Sequence, residues 1–108
     1  MTVVVKIGTS SLTKPDGSIS KNAINKLAEE IAIAKRDFSE IVLVSSGAIG
    51  AGLADLGYVA NRPTDSRILQ AASAIGQPKL MATYADSFSR HDICIAQLLM
   101  APDDFFVR

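Results

Sequence analysis

Val3-Val4-Val5-Lys6-Ile7-Gly8-Thr9-Ser10 opens the chain as an apolar strand that carries one lysine into a turn of small residues. The β-branched run reads as a strand buried on both faces, which puts the lysine near the carboxyl end, where open α/β sheets place their ligands. A cation in that position calls for an anion. Gly8 lets the backbone approach such a ligand closely, and Thr9 and Ser10 add hydroxyl donors, so phosphate is the leading candidate. The plain alternative is an edge-strand lysine that keeps its ammonium in water. Apolar neighbours and the following Gly-Thr-Ser favour the anion site.

Working outward, Thr13-Lys14-Pro15-Asp16-Gly17 has the composition of a surface hairpin or loop, and Ser20 starts a helix. Ile24, Leu27, Ile31 and Ala34 recur at three- and four-residue spacing to about Arg36, which predicts an amphipathic helix covering one face of the sheet. Glu40-Ile41-Val42-Leu43-Val44 is a second apolar strand, so the two strands and their helix form a parallel βαβ crossover. Ser45-Ser46-Gly47-Ala48 again ends a strand in small residues and leads into a helix over Ile49–Leu56, with Gly57 as its cap. Both strands thus deliver glycine and hydroxyls to one edge. From Thr64 to Arg90 the apolar spacing predicts two consecutive helices broken at Gly76-Gln77-Pro78, because proline suits a first helical turn and not an interior. Ile93–Leu99 reads as a third strand, and Pro102-Asp103-Asp104 as a further helix start.

The 108 residues are 48% hydrophobic, enough for one core, and their charges sum to zero. The charge balance argues against the broad basic footprint of a nucleic-acid binder, so any anion site must be local. No apolar stretch approaches the length of a membrane span, and a soluble cytoplasmic protein is the expectation. Cys94, the single cysteine, lies in an apolar run and reads as an inert core residue. His91, the single histidine, sits at the end of a predicted helix, where charge alone accounts for it.

Several motif readings fail on spacing. Gly8 followed by Thr13-Lys14 nearly fits a P-loop, but its second glycine is a threonine and Pro15 replaces the metal-binding hydroxyl. Gly47, Gly50 and Gly52 do not have dinucleotide-fingerprint spacing. For Ser46-Gly47, local sequence leaves two readings open. Ser46 is either a helix cap, or its hydroxyl and the helix amides hold a carboxylate or phosphate.

Taken together, Val4–Ser10, the run Val44-Ser45-Ser46-Gly47-Ala48-Ile49-Gly50-Ala51-Gly52, the run Gln70-Ala71-Ala72-Ser73-Ala74-Ile75-Gly76-Gln77 and Ala96-Gln97-Leu98-Leu99 resemble the amino-acid kinase family. The Gly-Thr-Ser variant and the glutamine-flanked segment are similar to its glutamate 5-kinase branch. The resemblance implies an α/β fold: a three-layer αβα sandwich with a mainly parallel sheet, incomplete at the C-terminus, residues 1–108 being the N-terminal part of the domain. It also implies transfer of the γ-phosphoryl of ATP to the side-chain carboxylate of L-glutamate, giving L-glutamyl 5-phosphate in the first step of proline biosynthesis, with Mg2+ as cofactor. On the same basis Lys6 is the catalytic, phosphate-contacting lysine; Gly8, Thr9 and Ser10 line the ATP phosphates; Ser46, Gly47 and Ala48 bind glutamate; and no metal ligand is assigned.

The implied partners are L-glutamate and ATP, with no nucleic acid and no membrane, and the complete enzyme is expected to be a homo-oligomer. Family members continue beyond the position of Arg108 with parts that complete the site, and Met100-Ala101-Pro102 departs from the threonine and arginine usual after the Leu-Leu pair. The 108 residues alone are therefore expected to be inactive. The alternatives are a non-catalytic remnant or interaction module of the same fold, or an amino-acid kinase with another substrate.

Overall fold

The N-terminal apolar run forms β1 (Thr2–Ile7), which pairs in parallel with β2 (Glu40–Ser45) from Thr2↔Glu40 to Ile7↔Ser45. This computed structural model describes residues 1–58 and 61–99. Between the strands runs α1 (Lys21–Ala34), whose N-cap Ser20 accepts from the Ala23 N–H at 3.2 Å, the job for which serine is favoured at a helix start. After β2 come α2 (Ala48–Asp55) and α3 (Ser66–Ser89). The expected crossover is present, and the chain is an α/β unit on a two-stranded parallel sheet. No helix among the described residues is long and apolar enough to cross a membrane.

One face of the sheet is covered. Ile7, Ile41 and Leu43 pack against Leu12, Ile24, Ala28, Ile31, Leu80, Tyr84 and Phe88, so α1 and α3 close over that side. The expectation of strands buried on both faces is corrected, because burial alternates along β1 and β2. Val4, Val42 and Val44 on the other face are 63%, 43% and 46% exposed. A strand sequence apolar on both sides records two apolar faces, whereas cover depends on what packs there.

The tightest contact lies between α2 and α3. Ala48 and Gly52 on α2 face Ala72 and Gly76 on α3, two small residues four apart on each helix. A methyl group built on Gly52 would overlap the Ala72 carbonyl, and one on Gly76 would overlap the Ala48 carbonyl. Backbone therefore meets backbone, which only glycine permits. Asp55 and Lys79 add an ion pair at 2.8 Å across the same helices, a contact exposed enough to contribute under about 1 kcal/mol.

α3 corrects the predicted break: it is one helix of 24 residues with Pro78 inside it. An interior proline costs about 3 kcal/mol through a lost hydrogen bond and a clash with the carbonyl four residues back. Here that residue, Ala74, is exposed like Pro78 itself, so water can serve the orphaned carbonyl. On the opposite side, Ala72, Gly76, Leu80, Tyr84 and Phe88 form one buried stripe across the proline. Packing on both sides of Pro78 outweighs the local penalty.

Two further expectations are corrected at the end of the described chain. Residues 93–99 form no strand, although Ile93 and Ile95 pack on the core as alternate residues of a strand would. The side-chain period is present without a ladder partner. Cys94, expected in the core, is exposed because it points to the other side of this alternation. His91 follows the α3 C-cap Arg90 in a turn closed by its N–H on the Phe88 carbonyl. The helix start expected at Pro102-Asp103-Asp104 lies outside the described residues.

The expected loop is a turn with an antiparallel bridge between Thr13 and Ile19. Asp16 Oδ1 accepts from the Ser18 hydroxyl at 2.6 Å and the Ser18 N–H at 2.9 Å, which holds its carboxyl below the ordinary carboxylate range. Because the folded value is the lower one, the contribution of Asp16 to stability is present above the ordinary value and lost as pH falls through the lowered one. An NMR titration of the Asp16 carboxyl in Ser18→Ala should return it toward the ordinary value. Gly52→Ala and Gly76→Ala should each destabilise the chain by about 3 kcal/mol or more in urea unfolding, at the upper end of overpacking penalties.

Candidate functional site

Parallel pairing ends both strands at one edge. With Ile7 opposite Ser45, the next residues of each strand, Gly8-Thr9 and Ser46-Gly47, leave the sheet side by side. They touch: the Thr9 and Ser46 hydroxyls are hydrogen-bonded at 2.8 Å. The two small-residue turns singled out in the sequence are thus joined directly.

The first turn is a short 3-10 helix, Thr9–Ser11, closed by the Ser11 N–H on the Gly8 carbonyl at 3.2 Å and the Leu12 N–H on the Thr9 carbonyl at 3.0 Å. Leu12, 2% exposed, anchors it in the core. Thr13 Oγ1 donates to the Thr9 carbonyl at 2.9 Å. Gly8 itself is extended, with φ −80° and ψ 162°, a conformation open to any residue. A Cβ built on it would meet nothing within 4 Å. Neither backbone nor packing among the described residues requires glycine there, so its effect is to leave the main chain open to approach. Ser10 is exposed.

The second turn excludes one of the two readings of Ser46, the helix cap. Gly47, not Ser46, is the N-cap of α2, at φ +115° and without a side-chain cap. Ser46 is exposed, and its hydroxyl shares one hydrogen bond with that of Thr9 in which either can be the donor, so the other keeps its proton for a ligand. Gly47 is buried against the Thr13 methyl and occupies a left-handed conformation that side chains resist. Ala48 packs on the core and opens α2. No hydrogen bond occupies the Gly47 or Ala48 amide among the described residues, so both are available at a helix N-terminus.

Lys6 is exposed one residue short of this edge. Its register partner is Val44, so it stands on the open apolar face of the sheet rather than between two packed layers. It forms no ion pair among the described residues. Its stem can lie on the valine while the ammonium reaches past the strand end.

Two contacts escaped the sequence reading. Tyr84, taken only as an apolar position on α3, places its hydroxyl 2.6 Å from Ser45 Oγ, and burial pushes its phenol pKa up, partly offset by that bond. Gln77 Nε2 donates to Gln97 Oε1 at 2.9 Å, which ties α3 to the segment after it. The glutamines belong to two of the motifs, but nothing in their spacing predicts the pairing. Two surface concavities lie elsewhere: one is lined by residues that include Lys21, Asn25, Thr83, Asp86, Ser87 and Arg90, the other by residues that include Lys35, His91, Asp92 and Cys94. Neither includes a residue of the two turns. Gly8, Thr9, Ser10 and Ser46 are exposed at the sheet edge.

A profile of the amino acid kinase family matches residues 1–108. The chain is 46% identical over 106 residues to glutamate 5-kinase 1 of Bacillus licheniformis, covering 98% of this chain and 29% of the relative. It is 44% identical over 106 residues to glutamate 5-kinase of Thermobifida fusca, again 98% of this chain and 27% of the relative. Against glutamate 5-kinase of Bifidobacterium animalis subsp. lactis identity is 47% over 103 residues, 95% of this chain and 27% of that protein. The chain therefore spans little more than a quarter of the length of these relatives.

The geometry separates the glycines by role. Gly47→Ala should cost about 1–2 kcal/mol in urea unfolding for its left-handed backbone. Gly8→Ala should change stability by less than about 0.5 kcal/mol. Thr9→Val, which removes an exposed hydrogen bond, should cost about 1 kcal/mol or less.

Proposed function

The chain belongs to the amino acid kinase family, and we propose that it is the N-terminal portion of a glutamate 5-kinase, which transfers the γ-phosphoryl of ATP to the side-chain carboxylate of L-glutamate. The observation that carries this reading is the Thr9–Ser46 hydrogen bond, which sets a candidate phosphate turn against a candidate carboxylate turn. The product, L-glutamyl 5-phosphate, would enter proline biosynthesis, and the relatives' names support that role.

The chemistry asks for little beyond what such an edge offers. A glutamate side chain is already ionised near neutral pH. Its oxygen attacks the γ-phosphorus, a new O–P bond forms, and the bond to the bridging oxygen breaks with its electron pair leaving on ADP. No proton moves at the nucleophile, so no general base is needed. The difficulty is bringing an anion to an anion, which calls for positioning and positive potential. In this reading Lys6 contacts the transferring phosphoryl group, and the open backbone at Gly8 with the Thr9 and Ser10 hydroxyls lines the phosphates. Ser46 and the free amides of Gly47 and Ala48 hold the glutamate carboxylate. Among the described residues no group of three or more histidine, cysteine or acidic side chains is placed to hold a metal ion. In this reading Mg2+ would arrive with ATP and offset the charge of its phosphates.

The open sheet face supports the finer fold reading. Val4, Val42 and Val44 suit a packed interface better than water, and we read them as the second face of a wider sheet. That sheet would be the middle of a three-layer αβα sandwich, with residues 1–108 as its N-terminal part. The family resemblance also carries the reading of the complete enzyme as a cytoplasmic homo-oligomer.

A chimera joining residues 1–108 to the remaining C-terminal portion of the Bacillus licheniformis relative tests the assignment. It should form glutamyl phosphate from ATP and L-glutamate, measured as the hydroxamate. Lys6→Met should lower its turnover about 100-fold or more at nearly unchanged stability. Ser46→Ala should raise the KM for glutamate with that for ATP largely kept. A folded chimera without activity, or a Lys6→Met variant with full turnover, would overturn the proposal.

A further inference from the structure

Tyr84 presents a buried hydroxyl in a helix stripe that packing alone would fill with phenylalanine. The residue is 4% exposed and stacks on Phe88 one turn further along, with ring centroids 6.2 Å apart. Its oxygen lies 2.6 Å from Ser45 Oγ, and Ser45 Oγ lies 3.2 Å from the Ser46 carbonyl. A serine hydroxyl has one proton to give. The carbonyl can only accept, so Ser45 donates to Ser46 and Tyr84 must donate to Ser45. Burial keeps the phenol protonated for that task.

This relay acts on one peptide group. The Ser46–Gly47 bond is trans, so its carbonyl and its N–H point in opposite directions. Holding the Ser46 carbonyl toward Ser45 turns the Gly47 N–H the other way, away from the core side reached by Tyr84. Gly47 otherwise has unusual freedom, since at φ +115° it lacks the restraint that a side chain would impose. A turn built on glycine needs an external restraint to hold one orientation.

We propose that Tyr84 is a positioning residue for the Ser46–Gly47 turn: its hydroxyl, relayed through Ser45, fixes the peptide whose N–H meets the ligand carboxylate. The inference rests on the reading of that turn as a carboxylate site, but the relay itself exists without ligand. Tyr84 touches no substrate in this scheme. Its place on α3 means that the α2–α3 contact, which sets the position of α3, also sets the aim of a donor at the sheet edge.

The test uses the 15N-labelled 108-residue chain. In Tyr84→Phe the Gly47 amide signal should shift or broaden more than any amide away from residues 44–48 and 84, while the Leu80 and Phe88 resonances stay in place. Ser45→Ala should reproduce the disturbance at Gly47, and Ser45→Thr, which keeps the hydroxyl, should restore the original signal. A Gly47 signal unchanged in folded Tyr84→Phe overturns the proposal. If Tyr84→Phe does not fold, an unchanged Gly47 signal in Ser45→Ala does the same. Titration with L-glutamate separates this from the functional reading. A response at Gly47 in the unsubstituted chain, weakened about fivefold in Tyr84→Phe, supports both. Absence of any response counts against the carboxylate site, while the ligand-free signals still decide the relay.

Discussion

Backbone contact between α2 and α3 is the constraint on which the rest depends. Gly52 lies on the Ala72 carbonyl and Gly76 on the Ala48 carbonyl, leaving no room for a single methyl at either position. Such contact locks two helices at one distance and nearly one register, because neither has a side chain that could adjust. Ala48, the first residue of α2, is both a member of this contact and the residue after the Gly47 turn. Helix packing is therefore transmitted to the sheet edge within one residue.

The same rigidity explains how α3 passes Pro78 without breaking. Gly76 precedes the proline and is held by α2, while Leu80, Tyr84 and Phe88 follow it and are held by α1 and the sheet. A break would swing one of these sets away from its partners. Tyr84 then arrives beside Ser45, and Gln77 beside Gln97. Buried Ser87 is satisfied in the same manner, donating to Asn25 Oδ1 of α1 at 2.5 Å.

At the edge, parallel register does what sequence proximity cannot. Thr9 and Ser46 are 37 residues apart, and their hydroxyls meet because Ile7 and Ser45 are ladder partners. Among the described residues this edge gathers the Lys6 ammonium, the Thr9, Ser10 and Ser46 hydroxyls and the Gly47 and Ala48 amides, which take part in no hydrogen bond there. Its lysine is set apart on the open valine face. The two turns follow the strand ends, while Lys6 stands one residue earlier on the open face.

Sequence by itself determined the local elements and their chemistry: the strands at β1 and β2, the Ser20 cap, the amphipathic α1, and the two glycine-and-hydroxyl turns. Each depends on nearest neighbours, on side-chain period or on the steric freedom of one residue, and these are written along the chain. Tertiary structure alone decided that Pro78 stays inside one helix, that residues 93–99 form no strand and leave Cys94 exposed, and that Ser46 bonds to Thr9 instead of capping α2. It also decided that Tyr84 reaches Ser45. Those outcomes turn on which partner occupies the space opposite a group, and a ladder partner, a facing glycine or a distant hydroxyl has no signature at the position it controls.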